Sequence, residues 1–121
     1  MVSPDVQVAR VYDPPAPEGG DRVLVDRLWP RGLAKAAAAL DDWCRDVAPS
    51  TELRRWYGHD PARFAEFARR YRAELAEPAA AKALAGLHTR ASRGPLTLLT
   101  ATKDPTHSQA AVLANLLRGE D

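Results

Sequence analysis

The sequence predicts an α/β fold: one small domain over residues 1–121, with a short, mainly parallel sheet of about three strands flanked by helices. Three observations predict it. Val23-Leu24-Val25 and Leu96-Thr97-Leu98-Leu99 are short, mostly apolar runs of the kind that suits strands covered on both faces. The interval between them carries helical periodicity and helix caps, so helices are inserted between buried strands. The second run then passes through a tight turn into a last helix, the order expected of parallel strands in an open sheet. At 121 residues the chain fits one domain that buries about two-thirds of its unfolded surface.

Taken in order, residues 6–12 put Val6, Val8 and, past one slip, Val11 on apolar positions, and their β-branched content predicts a first strand. Residues 13–21 hold three prolines and two glycines in nine positions and read as a loop. Residues 22–28 form the second strand. After Gly32, residues 33–39 are alanine-rich and weakly patterned. Asp41 is placed to cap a short helix that must stop before Pro49, because proline disfavours helix at the residue preceding it. Ser50 caps a new helix with Glu52 in its first turn, Leu53, Trp56 and Tyr57 on one stripe, and Gly58 at its end.

Asp60-Pro61 repeats the cap, with proline at the first helical position and His59 as a residue leading into it. Phe64, Phe67, Ala68, Tyr71 and Leu75 fall on one face of that helix. Glu66 and Arg70, and Arg70 and Glu74, stand at i+4 spacing on the other. Pro78 opens a helix through about Arg90. The third strand covers residues 96–101, and Asp104 and Pro105 form the N-cap and first position of the last helix. Its buried stripe is Val112, Leu113, Leu116 and Leu117, and it ends at Gly119.

Seventeen basic residues stand against 16 acidic ones, so the net charge of +1 supplies no long-range field toward nucleic acid or anionic membrane. Any anion site must be local. Fourteen of the 17 basic residues are arginine, which favours planar, bidentate contacts, although codon bias in a GC-rich genome gives the same excess. No apolar run approaches the roughly 20 residues of a membrane span. Met1-Val2-Ser3-Pro4-Asp5 lacks a signal-peptide pattern, so a cytoplasmic protein with no membrane partner is expected. Cys44 is the single cysteine and reads as structural, leaving no disulfide within the chain. His59, His88 and His107 are scattered, the Gly-rich phosphate loops are absent and no Ser sits in G-x-S-x-G. No metal and no cofactor are therefore expected.

Arg10-Val11-Tyr12-Asp13, the string Arg22-Val23-Leu24-Val25-Asp26-Arg27-Leu28-Trp29-Pro30-Arg31-Gly32, Trp43, Ala48-Pro49-Ser50-Thr51-Glu52-Leu53-Arg54, Phe67, Tyr71, Glu74-Leu75, and Leu96-Thr97-Leu98-Leu99 followed by Ala101, Lys103, Asp104 and His107 form a recognisable set. On these residues the chain resembles the YeaO-like family, small bacterial proteins classed as domain of unknown function 488. The resemblance runs from about Val6 to Leu117. It implies a small α/β protein and no established activity. Similar proteins tend to carry an aromatic and a small residue before Ala-Lys, where this chain reads Thr100-Ala101-Thr102-Lys103.

An acid, two arginines and an indole crowd the six residues from Asp26 to Arg31, where a structural strand would end in small turn residues. In a parallel sheet ligands sit beyond the C-terminal strand ends. That rule gathers Asp26, Arg27 and Arg31 near Lys103, Asp104, His107 and Ser108. Arg27 and Arg31 could fork onto a phosphate or carboxylate, with Lys103 as a point charge and the start of the last helix completing a cradle. Trp29, Ser108 and Arg10 complete the expected ligand contacts. His107 offers a proton donor or acceptor with Asp26 or Asp104 to orient it, which makes His107 and Asp26 the candidate catalytic pair.

The expected partner is a small anionic, possibly nucleotide-like ligand. The same residues could instead form ion pairs that only hold loops in place, so catalysis stays open at this point. Two other classes compete: a DNA-binding or regulatory protein using the helix pair of residues 50–77, and a ligand-free interaction module presenting Trp29 and the loop of Pro14, Pro15 and Pro17. Glu66, Glu74 and Glu77 on the second helix of that pair oppose phosphate, so nucleic acid is not the expected partner. Oligomeric state is not set by the sequence.

Overall fold

The computed structural model describes residues 4–119. Residues 1–3, part of the N-terminal stretch read as lacking a signal-peptide pattern, lie outside the described residues. Among the described residues four strands form one parallel sheet in the order β1-β4-β2-β3: β1 (Val6–Arg10), β2 (Asp21–Leu24), β3 (Asp42–Trp43) and β4 (Leu96–Thr100). The helices are α1 (Lys35–Ala38), α2 (Thr51–Tyr57), α3 (Phe64–Glu74), α4 (Pro78–Arg93) and α5 (Gln109–Arg118). The α/β class is as predicted, with four strands in place of about three.

Strand alternation sorts the side chains onto two faces. Val6, Val23, Val25, Leu96 and Leu98 point to a large core built with Leu53, Tyr57, Phe67, Tyr71, Leu87 and Leu113 of the helices. Leu24, Leu99 and Val11 point the other way, against Trp29, Leu33, Leu40 and Trp43. Val11 is therefore no slip in the first strand. It belongs to the second face, and its N–H continues the ladder to the Thr100 carbonyl at 2.9 Å.

Residues 41–48 depart most from expectation. In place of a helix capped by Asp41, the chain pairs with β2: Asp41 N–H donates to the Arg22 carbonyl at 2.8 Å, the Asp41 carboxylate accepts from Arg22 N–H at 2.8 Å, and Cys44 N–H donates to the Leu24 carbonyl at 2.8 Å. The open edge of β2 needs these partners, and extended backbone also lays the Trp43 ring over the second face. Helix survives there only as a 3-10 turn, Arg45–Val47. Single 3-10 turns likewise precede α3 (Pro61–Arg63) and α5 (Pro105–His107), so Pro61 and Pro105 open turns and not the helices themselves.

The caps at Ser50 and Gly58 are as read. Ser50 Oγ accepts from Leu53 N–H at 3.1 Å, and Gly58 is left-handed. Glu66 holds Arg70 at 2.8 Å and Arg69 at 2.6 Å. Glu74, by contrast, does not complete the predicted pair with Arg70. Its carboxylate takes Ser50 N–H at 2.8 Å and Ser50 Oγ at 2.5 Å, tying the end of α3 to the start of α2.

Within the main core Tyr71 is fully buried, and its hydroxyl donates to the Val47 carbonyl at 2.5 Å. Burial holds its phenol neutral well above the ordinary value. A phenol that ionises near 10 when unfolded and much higher when folded contributes stability fully below pH ~10 and loses it as pH rises beyond. Tyr71→Phe should cost about 1–2 kcal/mol at pH 7, by orphaning the carbonyl. The gap to wild type should narrow by pH 11 in urea titrations. An unchanged gap would show that the hydroxyl carries no alkaline sensitivity.

The second face is anchored by Arg22, only 6% exposed, whose guanidinium donates to the carbonyls of Ala39 (3.1 Å), Asp13 (3.1 Å) and Ala38 (3.3 Å). Ala39 adopts a left-handed conformation at the end of α1. At the outer edge of β1, Arg118 caps the Val6 carbonyl and the Asp13 carboxylate accepts from Arg10 N–H, which covers part of an edge that could otherwise pair with another chain.

Candidate functional site

The C-terminal ends of β2 and β4 meet at Asp26, just beyond β2. Its Oδ1 accepts from Thr100 Oγ1 at 2.7 Å and Gln109 Nε2 at 2.5 Å, while Oδ2 accepts from Ala101 N–H at 2.8 Å. Its carbonyl accepts from Trp43 Nε1 at 2.7 Å. One carboxylate thus ties β2, the exit of β4 and the first residue of α5 together. Arg27 donates to the carbonyls of Pro49 (3.2 Å) and Ala48 (3.0 Å), fixing the approach to α2.

Above this junction lies a cleft of about 230 Å³ whose polar walls are Asp26, Arg27, Arg54, His59, Thr102 and Gln109. Asp26 is the one carboxylate lining it, and three donors already occupy that group. Arg54 comes from the last turn of α2, is exposed, and makes no ion pair among the described residues. The chain then reverses through Gly58 and His59, both left-handed, with φ of 55° and 56°. That conformation is uncommon for a residue with a Cβ, although histidine tolerates it better than most. It brings the imidazole Nδ1 to 3.4 Å from Thr102 Oγ1.

The predicted residues divide. Asp26 and Arg27 line the cleft. Ser108 lines the adjoining hollow, with its hydroxyl donated to the Pro105 carbonyl at 2.6 Å. Lys103 is exposed on a further depression shared with His59 and Asp104. Arg10 donates to the Thr102 carbonyl at 3.2 Å and stacks over Tyr12, whose hydroxyl reaches the Arg31 carbonyl at 3.4 Å. Trp29 Nε1 donates to the Leu33 carbonyl at 2.7 Å, and its ring packs edge-on against Trp43 on the second face. Arg10, Trp29 and Arg31 line neither the cleft nor the adjoining hollow.

His107 does not meet Asp26. Its Nδ1 lies 2.7 Å from Asp104 Oδ2, and its ring stands edge-on to Phe64. The Thr106 hydroxyl and then His107 hold the Asp104 carboxyl below its ordinary pKa. Arg54, His59, Thr102 and Gln109 also line the cleft and are not among the residues the sequence points to. In the sequence His59 reads as a residue leading into the Asp60-Pro61 cap, and Gln109 stands inside the last helix with no signal of its own. Among the described residues, no group of three His, Cys, Asp or Glu side chains could hold a metal ion, and no helix is long and apolar enough to cross a membrane.

Residues 5–120 match the pattern of the family described as the inactive DUF488-N3 subclade. The chain belongs to this family. Its relatives include the uncharacterized protein Rv3073c of Mycobacterium tuberculosis strain H37Rv, 53% identical over 114 residues that cover 94% of each chain. The uncharacterized protein YeaO of Escherichia coli strain K12 is 45% identical over 115 residues, 94% of this chain and 97% of the other. The resemblance to YeaO-like proteins therefore holds over almost the whole length of the family domain. No solved structure matches the chain.

Proposed function

We propose that this protein binds a small phosphate- or carboxylate-bearing ligand in the cleft over the ends of β2 and β4, through Arg54, Arg27, His59, Thr102 and Gln109. The observation that carries the reading is Arg54: a guanidinium without an ion pair among the described residues, on a cleft whose one carboxylate is already satisfied by three donors. A planar fork of this kind matches an oxyanion's geometry. The family's description as an inactive subclade favours binding over turnover. So does the separation of His107 from Asp26, because a carboxylate that orients a catalytic imidazole must lie within hydrogen-bond reach of it, and His107 is held by Asp104 instead. The helix pair α2 and α3 supports a nucleic-acid surface less well. Glu66 holds Arg69 and Arg70, and Arg63 and Arg70 lie over the Trp56 ring.

Thermal-shift titration with inorganic phosphate and with succinate tests the reading. Either anion at about a hundred times its Kd should add roughly 2.7 kcal/mol. Arg54→Gln should abolish the response, while Arg31→Ala, outside the cleft, should keep it. A wild-type protein that responds to neither anion would sink the proposal, as would a response lost in Arg31→Ala and kept in Arg54→Gln.

A further inference from the structure

The cleft has a second compartment, and its chemistry narrows the ligand. Resting on the anion-site reading above, we infer that the ligand class is an aryl phosphate or aryl carboxylate: one anionic group carried on a single flat, apolar ring.

A hollow of about 300 Å³ adjoins the polar cleft and shares Pro49, Arg54, His59, Thr102 and Gln109 with it, so the two are continuous. Its other walls are Leu28, Tyr57, Phe67 and Ser108, with the exposed Thr51 and Arg55 beside them. Leu28 is 66% exposed, one of two large hydrophobic side chains left so open among the described residues. A single exposed leucine is unremarkable in itself, but here it shares one hollow with Pro49, Tyr57 and Phe67.

The two most deeply buried polar groups in its wall, Tyr57 and Ser108, are already committed. Tyr57 donates its hydroxyl to the His107 carbonyl at 2.5 Å, and Ser108 donates to the Pro105 carbonyl at 2.6 Å. Tyr57 thus offers the hollow its ring, which stacks on Phe67 with centroids 4.4 Å apart. Sugar hydroxyls set against Leu28, Phe67 and the Tyr57 ring would lose water and find few partners, whereas a flat apolar ring would displace water from that part of the wall. Arg54 borders both compartments. Its guanidinium can fork onto the anion and lie against the face of the ring. The volume is at the small end of ligand pockets, which suits one ring.

Isothermal titration of the full chain with phenyl phosphate, inorganic phosphate, glucose 6-phosphate and benzyl alcohol tests the inference. Phenyl phosphate should bind at least about tenfold more tightly than the other three, a gain of about 1.4 kcal/mol. Leu28→Ser, at an exposed position where the melting temperature should hardly move, should weaken phenyl phosphate about fivefold or more and leave inorganic phosphate unchanged. Equal affinity for phenyl phosphate, inorganic phosphate and glucose 6-phosphate would overturn the ring preference and leave the anion site standing. So would phenyl phosphate binding that is indifferent to Leu28→Ser. Binding of none of the three phosphates, or benzyl alcohol binding as tightly as phenyl phosphate, would overturn the anion site as well.

Discussion

Asp26→Ala should destabilise the protein by about 3 kcal/mol, because it strands three donors at once. Thr100 Oγ1, Gln109 Nε2 and Ala101 N–H all converge on that carboxylate from parts of the chain more than 70 residues away, and the site is only partly open to water. Asp26→Asn should cost roughly 1–2 kcal/mol less. The new amide oxygen can keep Ala101 N–H. Its NH2 can then donate to Thr100 Oγ1 and to Gln109, once the Gln109 amide turns its oxygen inward.

Urea unfolding followed by tryptophan fluorescence would report both variants, since Trp43 Nε1 itself donates to the Asp26 carbonyl. The second readout is binding. Asp26→Asn removes the negative charge from a cleft otherwise walled by Arg27, Arg54 and His59, so phosphate should bind a few-fold more tightly even as the fold weakens. A role limited to holding loops predicts the loss of stability without the gain in affinity. If both variants match wild type in stability, the junction between β2, β4 and α5 is not what secures this end of the sheet.

The contrast between Asp26 and the rest of the cleft explains what the sequence discloses. Ser50, Gly58 and the apolar stripe of α3 are legible because each depends on neighbours within about four residues, where capping and periodicity operate. Val23-Leu24-Val25 and the run from Leu96 are legible because burial on both faces leaves a continuous apolar string. Strand β3 leaves no such string. It is two residues long, Asp42 is polar, and its pairing answers to the open edge of β2, not to any local preference.

The cleft is hidden for the same reason. Its walls come from residues 26–27, 49–59 and 100–109, brought together by the sheet, and no spacing in the sequence connects them. The Trp-Pro-Arg motif is the visible part, yet past Leu28 the chain turns to the second face. There Trp29 serves packing and Arg31 lies beside Tyr12. The place of His107 after β4 points it toward the site, but Asp104 three residues earlier takes the imidazole. His59 reaches the cleft only because two successive left-handed residues reverse the chain there, and its neighbours Asp60 and Pro61 carry the stronger local signal.

Gly20→Ala should be among the most damaging single substitutions, costing about 3–5 kcal/mol from the left-handed backbone and the clash together. Gly20 has φ +66°, and a Cβ there would stand 2.0 Å from the Pro95 carbonyl oxygen and 2.6 Å from its carbon. Those atoms are backbone and cannot swing aside. The same oxygen accepts Asp21 N–H at 3.1 Å, the bond that starts the ladder between β2 and β4. Next door, the Thr97 hydroxyl donates to the Gly19 carbonyl at 2.9 Å, so the loop is pressed onto β4 on both sides of the contact.

Gly32→Ala provides the internal control. Its φ is +77°, but a Cβ would meet nothing within 4 Å, so only the backbone penalty of about 1–2 kcal/mol applies. Equal losses in the two variants would mean that the Pro95 contact is not made in solution. A larger loss at Gly20, accompanied by weaker phosphate binding at temperatures where the protein remains folded, would show that the start of the β2–β4 ladder controls the spacing of Asp26 and Ala101 at its far end. The cleft would then depend on a glycine in a loop that touches none of its walls.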